Sequence, residues 1–152
     1  MRSIVIVPLM LLLSAGATAA QQRGTPSADE TQIRDLIAKY DKGESVPRTS
    51  DVVFWSGAFK RPTVGPERGE EVPNGRQPSL RVPGSQRNRT TPIRIEIAAS
   101  RDLAYEYSNS VLTFDLKSGT KQEVQTSLLR VWKKDGGQWK IAAMFARPHE
   151  AP

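Results

Sequence analysis

The sequence predicts an α+β domain in which an N-terminal amphipathic helix packs on one face of an antiparallel sheet. Two observations carry this prediction. Apolar residues between Ser27 and Gly43 recur with helical spacing, and four alternating segments follow Pro92 with turn signals between them. A helix that precedes an antiparallel meander is the order of elements expected when the helix covers one sheet face.

Residues 1–20 precede this domain and have the pattern of a secretory signal peptide. Arg2 supplies a positive start, the apolar stretch IVIVPLMLLL follows, and Ala17-Thr18-Ala19 matches a small-residue cleavage site. The apolar stretch is too short for a comfortable membrane span. We therefore expect an exported protein, periplasmic or secreted, with no membrane span after cleavage, in which residues 21–152 form a single domain.

The first element of that domain is the helix in SADETQIRDLIAKYDKG. Ser27 and Glu30 form a capping box, in which the serine hydroxyl accepts from the backbone N–H three residues on. Four apolar residues between Ile33 and Tyr40 follow the i, i+3, i+4, i+7 pattern of one helix face. Gly43 is suited to end the helix, because glycine readily adopts the left-handed conformation of a C-terminal cap.

A strand and a long irregular loop are expected next. ESVPRTS is a short connector, and DVVFWSGAFKRP predicts a strand or a tight strand pair around Ser56-Gly57. Residues 61–92 then contain six prolines, four glycines, six arginines and three glutamates, without helical or alternating periodicity. We expect a Pro/Gly/Arg-rich loop over 61–92, either an irregular solvated excursion or a functional segment.

The composition excludes several classes of function. The chain has no cysteine, which rules out a disulfide scaffold and a thiolate nucleophile. Its single histidine is His149, so a histidine-based triad or metal site is not expected, and the sequence implies no cofactor and no metal. The net charge of +6 is spread along the chain, without a basic helix or aromatic–basic alternation, so no nucleic-acid binding is predicted.

The last hairpin raises a question about Arg130. A two-residue turn at Asp135-Gly136 or Gly136-Gly137 gives the register that best separates polar from apolar residues. The face that would point to the core then carries Val124, Leu128, Arg130, Trp132, Trp139, Ile141 and Phe145. A buried guanidinium needs a carboxylate, backbone carbonyls or an anionic ligand.

Three environments for Arg130 remain open on the sequence alone. The preceding strand presents either Tyr105, Tyr107 and Asn109 or Glu106, Ser108 and Ser110. An internal pair with Glu106 or with carbonyl groups is favoured. The alternatives are a pocket in which Arg130 receives a polar ligand group, and an exposed arginine.

The C-terminal half resembles the nuclear-transport-factor-2-like (cystatin-like) superfamily, close to its SnoaL-like and ketosteroid-isomerase-like domains. The resemblance lies in SRDLAYEYSNSVLTF and LLRVWKKDGGQWKIAAMF, covers about residues 93–147, and is compatible with the opening helix. It implies a curved sheet that forms a cone or half-barrel closed at its mouth by helices. The chain departs from the family pattern because ESVPRTS is too short for a second helix and the 61–92 loop replaces a third.

The resemblance implies a pocket inside the cone. Our candidate pocket residues are Arg130, Glu106, Tyr107, Tyr40, Trp55 and Trp132. Isomerase chemistry of the ketosteroid type requires a carboxylate base in an apolar pocket that faces a tyrosine or acid donor. Tyr40, Tyr105 or Tyr107 would be the donor and Glu106 or Asp51 the base, but no family motif matches them, so the catalytic residues are unknown.

Three functions follow as hypotheses. The favoured one is an exported binding or accessory domain for a small apolar or acidic ligand, with a possible homodimer through the sheet. The first alternative is an enzyme of the isomerase, cyclase or hydrolase type. The second is an envelope interaction protein that uses the arginines of the loop, namely Arg76, Arg81, Arg87 and Arg89.

Overall fold

A computed structural model describes residues 26–67, 69–73 and 77–149. The expected signal peptide and Arg76 lie outside these residues. The described part contains one α-helix and six strands, and their bounds are α1 (Ala28–Asp41), β1 (Arg48–Ser56), β2 (Thr63–Val64), β3 (Arg87–Ile97), β4 (Leu103–Asp115), β5 (Lys121–Asp135) and β6 (Gln138–Pro148). A short 3-10 turn lies at Pro78–Leu80.

The six strands form one curved, unclosed sheet in the order β2-β1-β6-β5-β4-β3, and α1 packs on it. Strands β3 to β6 form the expected antiparallel meander. The prediction of a wholly antiparallel sheet is wrong, because β1 pairs with β6 in the parallel direction. β1 pairs with the last strand of the meander rather than with β3, the next long strand along the chain. The long connection between β1 and the meander allows β1 and β6 to run in the same direction.

Helix α1 begins and ends where its caps predict. The Ser27 hydroxyl accepts from the backbone N–H of Glu30 at 3.1 Å, while the Glu30 carboxylate pairs with Arg34. At the other end Gly43 has a φ of +76°, and the N–H of Glu44 donates to the carbonyl of Lys39. These bonds satisfy backbone groups that the helix ends would leave unpaired.

The irregular loop is shorter than the sequence predicted, because strand β3 begins before Pro92. The strand begins at Arg87, so the irregular stretch ends at residue 86 rather than at Pro92. Pro92 lies inside β3, where a missing N–H is tolerated because β3 is an edge strand. A bulge at Ile93 follows at once and turns that side chain outward, whereas Ile95 remains on the core face.

The last hairpin closes through Gly136-Gly137, both with positive φ, and Asp135 pairs with Gln138. The sequence register is correct up to Trp132 and Ile141. A bulge in the pairing between Val131 and Trp132 then shifts β6 by one residue. Met144 therefore occupies the core face, and the prediction of Phe145 there is wrong.

The core lies between α1 and the concave face of the sheet. Most of its buried apolar members come from the helix and from the last two strands, with Ile33 and Ile37 facing Trp132, Trp139 and Ile141. Each such apolar side chain contributes about 1.5–3 kcal/mol on burial. No helix in the described part of the chain is long and apolar enough to cross a membrane.

Candidate functional site

The concave face of the sheet buries an ion pair between neighbouring strands. Glu106 on β4 lies directly opposite Arg130 on β5, and both side chains are 0% exposed. The Arg130 Nη1 donates to both carboxylate oxygens, at 2.9 Å and 3.0 Å. The predicted internal Arg130–Glu106 pair is thus confirmed, and β4 presents its Glu106, Ser108 and Ser110 face to the core.

Further donors surround the Glu106 carboxylate. The Trp132 indole Nε1 donates to it at 3.2 Å, and the Ser108 hydroxyl donates to its other oxygen. On the helix side, the Tyr40 ring covers the guanidinium of Arg130 at 4.6 Å, a cation–π distance. Four of the six candidate pocket residues, Arg130, Glu106, Trp132 and Tyr40, therefore come together in one cluster.

In this arrangement Glu106 is poorly placed to act as a general base. Its two oxygens accept from Arg130, Trp132 and Ser108, and the residue has no solvent contact. A general base must reach the proton that it removes, directly or through one water. Glu106 is therefore the internal charge partner of Arg130 and does not present its carboxylate to the adjacent cleft.

A cleft of about 440 Å³ lies beside this cluster on the concave side. Its volume is within the usual range for sites that bind small molecules. Phe54, Leu128 and Met144, from three strands, form apolar walls on the sheet side of the cleft. Residues of segment 78–88 line its other side. Tyr40 lies at the boundary, so the cluster and the cleft share a wall.

Polar side chains from α1, from strands β1, β4 and β5 and from segment 78–88 also line the cleft. Ser110 is 3% exposed, and its hydroxyl has no hydrogen-bond partner among the described residues. Arg81 lines the same cleft, stacks on Phe114 at 4.1 Å and donates to Gln86 at 2.8 Å. Burial lowers the pKa of Arg81 below its usual value, with the charge of Glu71 opposing that shift.

Arg48 stands at the junction of this cleft with two neighbouring ones. One neighbour, of about 460 Å³, adjoins the Phe59 loop, and the other, of about 650 Å³, adjoins the end of α1. Arg48 lines all three, and it also lines a cleft of about 580 Å³ together with Asp51, Lys133 and Lys140. Within the described ranges, no hydrogen bond or ion pair holds its guanidinium.

Two candidate pocket residues lie on the opposite face of the sheet. Tyr107 is 43% exposed and Trp55 is 47% exposed, so neither contacts the cleft. The pairing registers place Trp55, Phe145, Leu129 and Tyr107 side by side across four strands, followed by Arg94 on the edge strand. We call these five residues the convex stripe.

A second buried carboxylate lies at the start of α1. Asp29 is 2% exposed and accepts from Lys134 at 2.7 Å, from Arg101 at 2.8 Å and from the Trp139 indole at 3.2 Å. The hydrogen bond from Lys134, followed by that from Arg101, lowers the pKa of Asp29 to about 2. This cluster fastens the helix N-terminus to the last hairpin.

Sequence reasoning missed the cleft residues Arg48 and Ser110. Arg48 belongs to the segment ESVPRTS, which we expected to be a connector, and Ser110 is one of several small polar residues in SNSVLTF. The only available signal was the alternative register of β4, which includes Ser110. In the described part of the chain, no group of three or more histidine, cysteine or acidic residues is arranged to hold a metal ion.

No protein-family model matches the chain, and no curated protein matches its sequence. Solved structures match its fold. Hexachlorocyclohexane dehydrochlorinase LinA-type3 from Novosphingobium barchaimii superposes with a TM-score of 0.60 at 16% identity, over 81% of this chain and 88% of that one.

Two further structures point to the same fold. A ketosteroid isomerase-like protein from Erwinia carotovora atroseptica matches with a TM-score of 0.56 at 14% identity, over 80% of this chain and 94% of that one. A nuclear-transport-factor-2-like protein of unknown function from Prochlorococcus marinus has a TM-score of 0.56 at 14% identity, over 83% and 97%. At these identities the likeness concerns the fold.

Proposed function

From the nuclear-transport-factor-2-like fold that the chain shares with those structures, we propose that it is a binding domain for a small, largely apolar molecule. The ligand occupies the cleft between the concave sheet face and segment 78–88. The domain holds this molecule in a binding or accessory role.

The observation that carries the proposal is the combination of apolar walls with an unpaired buried hydroxyl. The cleft keeps about 440 Å³ beside Phe54, Leu128 and Met144, and it contains the Ser110 hydroxyl without a described partner. A buried polar group without a hydrogen bond costs free energy, so a ligand that completes the bond gains binding affinity.

The isomerase-type alternative has weaker support. Glu106 is enclosed by Arg130, and Asp51 lines a different surface cleft, which it shares with Arg48, Lys133 and Lys140. Tyr105 donates to Glu96 on the outer face of the sheet, at 2.7 Å. The expected carboxylate–tyrosine pairs therefore do not face a common cavity, although two of the structural neighbours bear enzyme-type names.

A thermal-shift titration with 1-decanol and decanoate tests the binding proposal. A ligand that binds only the native state raises the melting temperature, by an amount equivalent to about 2.7 kcal/mol at 100 times its Kd. Leu112→Trp fills the cleft and should abolish the shift, because Leu112 lines it. Leu103→Trp, on the same strand but on the outer face, serves as the matched control. Equal shifts in both variants, or no shift in the native protein, would refute the proposal.

We further propose that the partner of the convex stripe is a second copy of this chain. Trp55, Leu129 and Tyr107 are exposed, Phe145 is half-buried, and the four lie side by side across four strands. Contiguous apolar surfaces of this kind mark interaction sites when they are large. The stripe is aromatic at Trp55 and basic at Arg94, so a two-fold axis along the strands brings each aromatic end over a basic end.

The oligomeric state tests this second proposal. Sedimentation analysis of the native chain should give a dimer, and Leu129→Asp should give a monomer because it places a charge in the stripe. Leu80→Asp, an equally exposed leucine outside the stripe, should leave the dimer intact. A native monomer would contradict the proposal.

We also propose that residues 1–20 direct the export of this protein. Sequencing the N-terminus of the protein isolated from culture medium or periplasm tests this proposal.

A role for the loop arginines in envelope interaction is the remaining alternative. Arg81 stacks on Phe114, and Arg87 donates to the carbonyls of Gly84 and Gln86. These arginines thus have contacts within the domain, which weakens the envelope-interaction alternative.

A further inference from the structure

The cleft has polar groups at both ends, and their positions define the kind of ligand that fits it. At one end is Arg48, whose backbone is paired with Ile141 of β6. At the other end is Ser110, which pairs with Thr126, and Thr126 pairs with Pro148 of β6. The apolar walls lie between these ends.

The two ends differ in character. Arg48 is an exposed cation whose guanidinium has no hydrogen bond or ion pair among the described residues, and Asp51 lines a neighbouring cleft with it. Ser110 is an uncharged hydroxyl, 3% exposed, whose oxygen also lacks a partner among the described residues. An anion is therefore favoured near Arg48, where water still solvates the charge, and a neutral hydrogen-bonding group is favoured near Ser110.

We propose that the cleft binds an elongated amphipathic monoanion, with its acidic group at Arg48 and a hydroxyl or carbonyl group at Ser110. This inference rests on the proposed binding function and adds the chemical class of the ligand. The apolar middle of the molecule lies against Phe54, Leu128 and Met144.

The strand register sets the length of the ligand. Ile141 and Pro148 are seven positions apart on β6, or roughly 23 Å at about 3.3 Å per residue, and Arg48 on β1 is three strand spacings, or roughly 14 Å, from Ser110 on β4. The two backbone positions are therefore roughly 27 Å apart, and the reach of the arginine side chain with one hydrogen bond at each end leaves roughly 14 Å for the ligand. A straight chain of about ten carbons with a terminal carboxylate and a distal hydroxyl has that length.

The half-buried Arg81 supports the distal end. It lines the cleft together with Ser110 and Thr126, and its stacking on Phe114 fixes the orientation of its guanidinium. Arg81 already donates to Gln86 and lies in the field of the Glu71 charge, so it does not require an anionic ligand. A neutral hydroxyl or carbonyl oxygen placed there lies in a partly desolvated site, where a hydrogen bond is stronger than in water.

The probes that test the acidic end are decanoate and its neutral isostere decanamide, with Kd measured by isothermal titration calorimetry. Decanoate should bind at least about tenfold more tightly, the value expected for a charge-assisted hydrogen bond. Arg48→Gln should make the two affinities equal, whereas Arg147→Gln, an exposed arginine on the outer face, should preserve the difference.

The distal end is tested with 10-hydroxydecanoate. It should bind more tightly than decanoate to the native protein, and Ser110→Ala should remove that advantage. Because the Ser110 hydroxyl is buried without a partner, Ser110→Ala should not lower the melting temperature without ligand, whereas Ser108→Ala should, since Ser108 donates to Glu106. These melting temperatures establish that the first variant is folded.

The outcomes separate this inference from the binding function. Equal binding of decanoate and decanamide to the native protein, abolished by Leu112→Trp, would overturn the anion site and leave the binding function standing. An unchanged preference for decanoate in Arg48→Gln, or an unchanged hydroxyl advantage in Ser110→Ala, would overturn the corresponding end. Failure of all the probes to bind would overturn both the inference and the binding function.

Discussion

Removing Arg130 alone is the most informative perturbation of this fold. Arg130→Met keeps the approximate volume and hydrophobic stem of the side chain but deletes the guanidinium that donates twice to Glu106. The carboxylate then remains at a position with no solvent exposure, with only the donors from Trp132 and Ser108. The cation–π contact with Tyr40 is lost as well.

The structure indicates a large effect. Breaking a buried pair by removing one partner typically costs about 3–5 kcal/mol, because the remaining charge stays buried without compensation. A domain of this size has a free energy of unfolding of about 5–15 kcal/mol, so the loss is a substantial fraction of it. The corresponding fall in melting temperature is about 10–20 °C.

The paired replacement gives the contrasting result. In Glu106→Leu/Arg130→Met neither charge remains, and the site becomes apolar. We expect the double variant to recover most of the lost stability, since buried ion pairs are often no better than well-packed apolar residues. The native pair is also incomplete, because the Arg130 Nε has no hydrogen-bond partner among the described residues.

Urea denaturation at pH 7, followed by tryptophan fluorescence, measures these differences. Trp132 and Trp139 are both buried, so their emission reports the loss of the core. Arg61→Met is the matched control, because it breaks an exposed pair with Glu67 and should cost less than about 1 kcal/mol. Equal losses in Arg130→Met and Arg61→Met, or a double variant no more stable than Arg130→Met, would refute the reasoning.

Three smaller predictions concern the helix and its anchors. The depressed pKa of Asp29, about 2 because of the hydrogen bond from Lys134, stabilises the fold above the unfolded value of 3.8, and this contribution disappears as pH falls toward 2. Asp29→Asn should therefore flatten the acid limb of a plot of urea midpoint against pH, and an unchanged limb would contradict this. Ser27→Ala should cost about 1 kcal/mol in urea titration by removing the N-terminal cap, and a cost near zero would contradict the capping role. Gly43→Ala should lower the melting temperature more than Gly119→Ala. Both glycines have a positive φ, but only at Gly43 would an added Cβ meet a neighbouring atom, at 3.3 Å. Equal losses of melting temperature would leave backbone strain as the sole cause of both.

Much of the local structure was predictable because it depends on neighbouring residues. The cap at Ser27 and the left-handed Gly43 bound the helix as expected. The Gly136-Gly137 turn fixes the hairpin register next to it. Arg130 could be assigned to the core face from that register alone, and its need for a partner followed from the cost of an unpaired buried charge.

The sequence left open which partner Arg130 would find. Two registers of the preceding strand remained, and only the pairing of β4 with β5 places Glu106 opposite Arg130. A shift by one residue turns every side chain of a strand to the other face. For the same reason Tyr107 lies outside the site that the sequence assigned to it.

The sequence by itself determined the helix, the final hairpin and the presence of a buried arginine. Only the tertiary structure determined which residues line the cleft. Arg48 reaches it because β1 pairs in parallel with β6, a contact between segments far apart in the chain, and Met144 reaches it because a bulge shifts β6 by one residue. Local periodicity carries no information about either, since strand adjacency and bulges are set by long-range packing.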